Sequence, residues 1–189
     1  MSRERENQPA QRRIVCLGDS ITYGFPFGSS ASWVTMLAQV VEGEVINQGI
    51  NGNTTGDMLR RFERSVLRYD PTHLVQMGGI NDVVCGESLD SITWNIRSMV
   101  EKARQAGIKV ILGLPTAVDY PPWDQLLIRL RDWMRTYAAE LELPLIDFAA
   151  AFYDEEGNIK SELLLADGGH PDTTGYQAMF AQIDPTIFD

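Results

Sequence analysis

The chain has 189 residues, is 44% hydrophobic and carries a formal net charge of −10. That length and apolar content suit one globular domain with a substantial core. The acidic balance excludes a basic face for nucleic acid, and no apolar run approaches the ~18 residues of a membrane span.

Residues Met1–Arg13 are polar and charged without an apolar core, so they read as a disordered lead-in and not as a secretory signal or anchor. A single domain is expected over residues 14–189, with no internal repeat, low-complexity tract or linker. Cys16 and Cys85 are the only cysteines; Cys16 falls in a predicted strand, and a bridge between them has no support. Two reduced thiols without an export signal make a cytoplasmic protein the expectation.

Short continuous apolar runs at Ile14–Leu17, Val45–Ile46, Leu74–Met77, Val110–Leu114 and Leu145–Ile146 predict parallel strands covered on both faces. Helical spacing takes over between them. Trp33, Met36, Leu37 and Val40 form a first stripe before Gly43, and Met58 (or Leu59), Phe62 and Val66 form a second. Ile92, Ile96, Met99, Val100 and Ala103 form a third, closed by Gly107. The longest joins Trp123, Leu126, Leu127, Leu130, Trp133, Met134, Tyr137 and Leu141, ending before Pro144. A last helix is predicted from about Thr173 to Ile183. This alternation predicts a three-layer α/β/α fold, with a parallel sheet of about five strands in the flavodoxin-like order 2-1-3-4-5.

In such sheets the chemistry gathers beyond the carboxyl ends of the strands. Gly18-Asp19-Ser20-Ile21 follows the first strand and leaves a serine hydroxyl at its tip. Residues Asn47–Gly56 after the second strand hold three glycines and three asparagines, a tight loop with backbone N–H groups available, and Thr54 or Thr55 as the cap of the next helix. Neither G-x-G-x-x-G nor a P-loop lysine is present, which argues against a nucleotide site. Gly78-Gly79-Ile80-Asn81-Asp82 follows the third strand and offers either a carboxamide donor or an Asx turn. Late in the chain, Asp167-Gly168-Gly169-His170-Pro171 puts a candidate base and a carboxylate three residues apart. The other histidine, His73, opens a strand and is expected at the opposite edge of the sheet. With two histidines and no paired cysteines a zinc site has too few ligands, a carboxylate-only magnesium site stays open without any residue pattern pointing to it, and no metal is expected.

Taken together these segments resemble the SGNH (GDSL) hydrolase family over nearly the whole chain. Ser20 matches the Gly-Asp-Ser block, Gly52 the second-block glycine, Gly79 and Asn81 the Gly-x-Asn-Asp block, and Asp167 and His170 the Asp-x-x-His block. The resemblance implies the SGNH fold and a serine esterase or lipase-type acyl hydrolase that needs no cofactor. It implies a triad of Ser20, His170 and Asp167, and an oxyanion hole from the Ser20 and Gly52 N–H groups and the Asn81 amide. Asp19, Gly79 and Asp82 would support these from behind, and Thr22 and Tyr23 would wall the pocket. Short acyl or aryl esters are the expected substrates. Thioesterase, lysophospholipase and carbohydrate deacetylase activities stay open, as does a non-catalytic binding module on the same scaffold. Unlike periplasmic relatives, this chain shows no export signal.

Phe25-Pro26-Phe27-Gly28 and Val118–Trp123 either line the pocket or pack over the sheet edge. Arg60, Arg64 and Arg68 repeat at i, i+4, i+8 and read as a solvated face, with docking of an anionic carrier as the alternative. Oligomeric state is not readable.

Overall fold

A computed structural model describes residues 12–189. The expected lead-in lies outside the described residues up to residue 11, and the first strand already includes Arg13. The strands are β1 (Arg13–Gly18), β2 (Glu44–Gly49), β3 (His73–Met77), β4 (Lys109–Gly113) and β5 (Leu145–Ile146). All pair in parallel in the order β2-β1-β3-β4-β5. The helices are α1 (Ser20–Tyr23), α2 (Trp33–Leu37), α3 (Thr55–Arg60), α4 (Phe62–Ser65), α5 (Ile80–Val84), α6 (Leu89–Gln105), α7 (Pro121–Glu140) and α8 (Thr173–Phe180).

Strand side chains point alternately to the two faces, and each face has its own core. Val15, Leu17, Leu74, Val110 and Leu112 pack with Met58 of α3, Ile96 of α6 and Leu127, Leu130 and Met134 of α7. On the other face Ile14, Cys16, Val75, Met77 and Ile111 pack with Trp33 and Leu37 of α2 and Tyr176 and Met179 of α8. β1, β3 and β4 are covered on both faces, which is why they read as nearly continuous apolar runs, whereas β2 at the sheet edge is only partly buried. Cys16 is buried, Cys85 is exposed, and both are free thiols. Among the described residues no helix is long and apolar enough to cross a membrane.

The short helices depart from the periodic reading. α2 stops at Leu37, so Val40 leaves the predicted stripe and is 51% exposed. The second stripe is cut in two at Arg61, whose φ of −100° and ψ of 7° interrupt the helix. The last helix ends at Phe180, short of Ile183.

Register carries the fold's contribution to the site. Gly18 pairs with Gly49, so β1 and β2 end level. At that edge the chains approach closely: a Cβ on Gly49 would stand 2.1 Å from the backbone N of Tyr23 in α1. A side chain there would have to displace the helix that carries Ser20. Gly49→Ala is therefore expected to lower stability by about 1–3 kcal/mol, as overpacking does. Thermal and urea melts check this; an unperturbed Tm would contradict the close approach.

Candidate active site

Asp19 ends the turn after β1, and its Oδ1 accepts from the N–H of Ile21 at 2.9 Å, capping α1. Ser20 is thereby held as the first residue of a helix, in the crevice beyond the strand ends. Its Oγ lies 2.9 Å from His170 Nε2, across 150 residues of sequence. His170 Nδ1 lies 2.7 Å from Asp167 Oδ2. The other carboxylate oxygen of Asp167 accepts from the N–H groups of Gly169 at 2.9 Å and His170 at 3.0 Å, which folds the loop back on itself. Burial works against the Asp167 charge, but those N–H donors, the His170 side chain and its positive charge outweigh it and hold the carboxyl below its usual range.

Two further contacts set the histidine. The Phe25 ring packs on the imidazole with centroids 4.6 Å apart, and the Phe25 carbonyl accepts from Tyr176 Oη at 2.8 Å. The loop that carries Asp167 and His170 is also tied to the loop after β4, because Asp119 N–H donates to the Gly168 carbonyl at 2.7 Å. That second loop is anchored by a buried cluster. Arg131 pairs with Asp124 at 2.7 Å, Tyr153 Oη donates to the same carboxylate at 2.6 Å, and Val118 N–H donates to it at 3.4 Å.

Asn81 is the second residue of α5, and its Nδ2 donates to the Asn53 carbonyl at 3.0 Å. An amide nitrogen carries two hydrogens, so one remains for a second acceptor. Gly52 precedes Asn53 in the loop after β2, with φ of 75°. Thr54 caps α3 in a capping box with Asp57, which decides between Thr54 and Thr55 as the cap. Asp82 fastens this loop to α5: its two oxygens accept from Thr55 N–H at 3.0 and 2.8 Å. Gly79, with φ of 122°, makes the turn from β3 into α5.

A cavity of about 200 Å³ opens over Ser20, His170 and Asn81. Ile21, Ile80, Val84, Val118 and Trp123 give it apolar walls. Gly52 is outside that lining. Thr22 and Tyr23, expected as pocket wall, are not part of it: Thr22 is buried beneath, where its carbonyl accepts from Ser32 Oγ and Asn47 Nδ2, and Tyr23 faces solvent. Of the two candidate loops, Val118 and Trp123 line the cavity, whereas Phe25 packs on His170 and Phe27 is exposed. Trp123 is thus a cavity wall as well as a member of the α7 stripe. His73 sits at the amino end of β3, beside Phe188, with its Nδ1 2.8 Å from Thr72 Oγ1. Burial, with Lys109 and Arg12 adding to it, pushes that imidazole down to about 4.

Sequence reading missed Arg61 and Asn53. It also passed over the Asp124–Arg131–Tyr153 cluster. Arg61 was legible in principle, because it falls three residues after Met58 and beside Phe62 on the apolar face of the second stripe. Arg60, Arg64 and Arg68 are exposed, Arg60 pairing with Asp57, and the helix break at Arg61 removes their common register. All three are solvated, as expected, but not on one helix face.

The buried Asp19 gives a pH prediction. Burial pushes its carboxyl up to about 6, partly offset by the Ile21 N–H and the His170 charge, while Asp82 adds to the rise. Its Oδ2 has no hydrogen-bond partner among the described residues. The folded state therefore holds this proton to a higher pH than the unfolded chain. Its contribution to stability is full below about pH 4 and is lost as pH rises through about 6. Asp19→Asn, which keeps the capping oxygen, should raise stability at pH 8 by up to about 3 kcal/mol, and the gain should vanish by pH 4. Urea melts of both proteins at the two pH values check the sign; an equal difference at both would contradict it.

Residues 16–178 match the sequence model of the GDSL-like Lipase/Acylhydrolase family. The chain is 28% identical over 189 residues to esterase TesA of Pseudomonas aeruginosa, covering 95% of this chain and 90% of that protein. It is 26% identical over 196 residues to an acetylxylan esterase of Geobacillus stearothermophilus, covering 88% and 90% respectively. A solved structure from Desulfitobacterium hafniense, assigned to the lipolytic G-D-S-L family, superposes with a TM-score of 0.82 at 30% identity, over 90% of this chain and 97% of that one. With the five-stranded sheet in the order 2-1-3-4-5, these matches establish that the chain belongs to the GDSL-like lipase/acylhydrolase family.

Proposed function

We propose that this chain hydrolyses carboxylic esters of short acyl or aryl groups through an acyl-enzyme on Ser20. The observation that carries this reading is the hydrogen-bonded line from Ser20 Oγ through His170 to Asp167, at 2.9 and 2.7 Å, beneath an apolar cavity. His170 Nε2 takes the Ser20 proton as Oγ bonds to the ester carbonyl carbon. The imidazolium returns that proton to the leaving alkoxide as the ester C–O bond breaks. A water then gives a proton to His170, adds to the acyl carbon and expels Ser20, which recovers the proton. Asp167 keeps Nδ1 protonated and stabilises the imidazolium in both halves.

The tetrahedral oxyanion is held by the Ser20 and Gly52 N–H groups and by the second hydrogen of Asn81 Nδ2. Asp82 and Gly79 fix the geometry of that hole from the α5 side, and Asp19 fixes Ser20. Charge develops on the oxygen only in the transition state, so these donors act on kcat more than on substrate binding.

Size and polarity of the cavity support small, uncharged acyl groups. At about 200 Å³ it is smaller than the roughly 300–1,000 Å³ of pockets for drug-sized ligands. Its five apolar walls offer no partner for a charged acyl chain. The esterase names of the relatives above agree with this chemistry.

Three variants and one substrate series test it. Ser20→Ala should lose turnover while melting normally. Asn81→Ala should lower kcat by about 10²–10³ with KM little changed; equal effects on both would remove it from the oxyanion hole. Among p-nitrophenyl esters, acetate and butyrate should exceed octanoate in kcat/KM, and Trp123→Ala should narrow that gap by opening the wall. A steady rise toward octanoate would contradict the size argument.

A further inference from the structure

We infer that Arg61 is a positioning residue for the oxyanion hole, acting through Asn53 on the Asn81 amide. The inference rests on the assignment of Asn81 as an oxyanion donor. Arg61 lies at the break between α3 and α4 and is only 3% exposed. Its Nη2 donates to two strand-end carbonyls, Gly18 O on β1 and Gln48 O on β2, each at 2.9 Å. Its Nε donates to Asn53 Oδ1 at 2.7 Å. The backbone carbonyl of the same Asn53 accepts from Asn81 Nδ2 at 3.0 Å. One planar cation thus joins the strand that precedes Ser20, the strand that precedes Gly52, and the residue that orients Asn81.

Two features set Arg61 apart from an ordinary structural arginine. First, all its hydrogen-bond acceptors are neutral oxygens, and among the described residues it forms no salt bridge. Arg131, the other deeply buried arginine, is neutralised by Asp124 at 2.7 Å. A buried cation without a paired carboxylate is costly, so its three-way geometry needs a reason beyond stability. Second, its acceptors lie at the sheet edge that carries Ser20, Gly52 and Asn81, at the two strand ends and on the loop residue that Asn81 contacts. A planar fork holds its donors to these three oxygens in one fixed geometry, whereas an ammonium is a rotatable point charge on a flexible stem. Burial lowers the guanidinium to about 10, with Arg64 adding and Asp57 and Asp19 opposing, so it remains charged at neutral pH.

The link through Asn53 predicts a pattern that simple loss of packing would not produce. Arg61→Lys keeps the charge and loses the fork. It should lower kcat about ten- to hundred-fold with KM little changed, the size of effect expected when a reacting group is misplaced by about an ångström. Asn53→Ala cuts the same link while leaving the buried cation and the Asn81 acceptor in place, and should lower kcat in the same direction. The decisive arm is a double-variant cycle on p-nitrophenyl acetate. Because Arg61 acts through Asn81, Arg61→Lys/Asn81→Ala should be no slower than Asn81→Ala alone. Thermal melts identify folded variants, and if Arg61→Lys does not fold, the Asn53→Ala/Asn81→Ala pair gives the same cycle. Full kcat in folded Arg61→Lys and Asn53→Ala, or losses that multiply in the double variant, would overturn the inference. Full kcat in Asn81→Ala would instead overturn the oxyanion assignment on which it rests.

Discussion

Parallel pairing of β1 between β2 and β3, with their carboxyl ends level, is the constraint on which the site depends. It delivers the turn after β1, the glycine-rich loop after β2 and the Gly79–Asn81 turn after β3 to one edge of the sheet. β1, β3 and β4 are buried against a separate core on each face, so a slip in register would exchange side chains between two differently shaped cores. The same apolar burial that stabilises the sheet therefore fixes the relative heights of Ser20 and Asn81. Tight approach follows from it: Gly49 abuts α1, and no residue with a side chain fits there.

Polar groups behind that edge are then held by charge and hydrogen bonds in a setting that water reaches poorly. Asp19, Arg61 and Asp82 are all buried, and each spends its donors or acceptors on backbone groups of the site loops. Asp19 fastens the start of α1, Asp82 fastens Thr55, and Arg61 fastens Asn53 and two strand ends. Such groups are costly to bury, and they rigidify only when their partners are in place. Half-satisfied members show where the cost remains: Asp19 Oδ2 and Arg61 Nη1 have no hydrogen-bond partner among the described residues. The histidine loop is braced from a different direction, by Asp119, Phe25 and the Asp124–Arg131 pair under Val118.

Much of this was legible in the sequence for physical reasons that can be named. Five apolar runs separated by helical stripes point to a parallel sheet covered on both sides, and the order 2-1-3-4-5, expected by analogy with flavodoxin-like sheets, is the one observed. Ser20, Asn81, Asp167 and His170 stand out as polar residues at strand tips or in glycine-loosened loops, but taken singly the Ser20 and Asn81 segments also read as turns, and it is the resemblance of the four segments to one family that suggests their roles. What escaped depended on contacts between distant segments. Arg61 was not singled out: its place beside Phe62 on the apolar face hints at burial, but periodicity cannot say that a helix breaks there or which strand-end carbonyls the side chain reaches. Val40 looked apolar enough to be core, but α2 ends too early to carry it inward. Phe25 and Trp123 were indistinguishable as loop aromatics, and only the three-dimensional arrangement separates a residue that supports the histidine from one that walls the cavity.

The central claim is that Ser20 is made nucleophilic by His170 at the tip of β1. The most direct measurement is labelling of the intact protein with a fluorophosphonate, followed by mass mapping of the adduct, in wild type and in His170→Ala. The account predicts a single adduct on Ser20 that forms far more slowly in the variant. No adduct on Ser20, or the same labelling rate without His170, would contradict it.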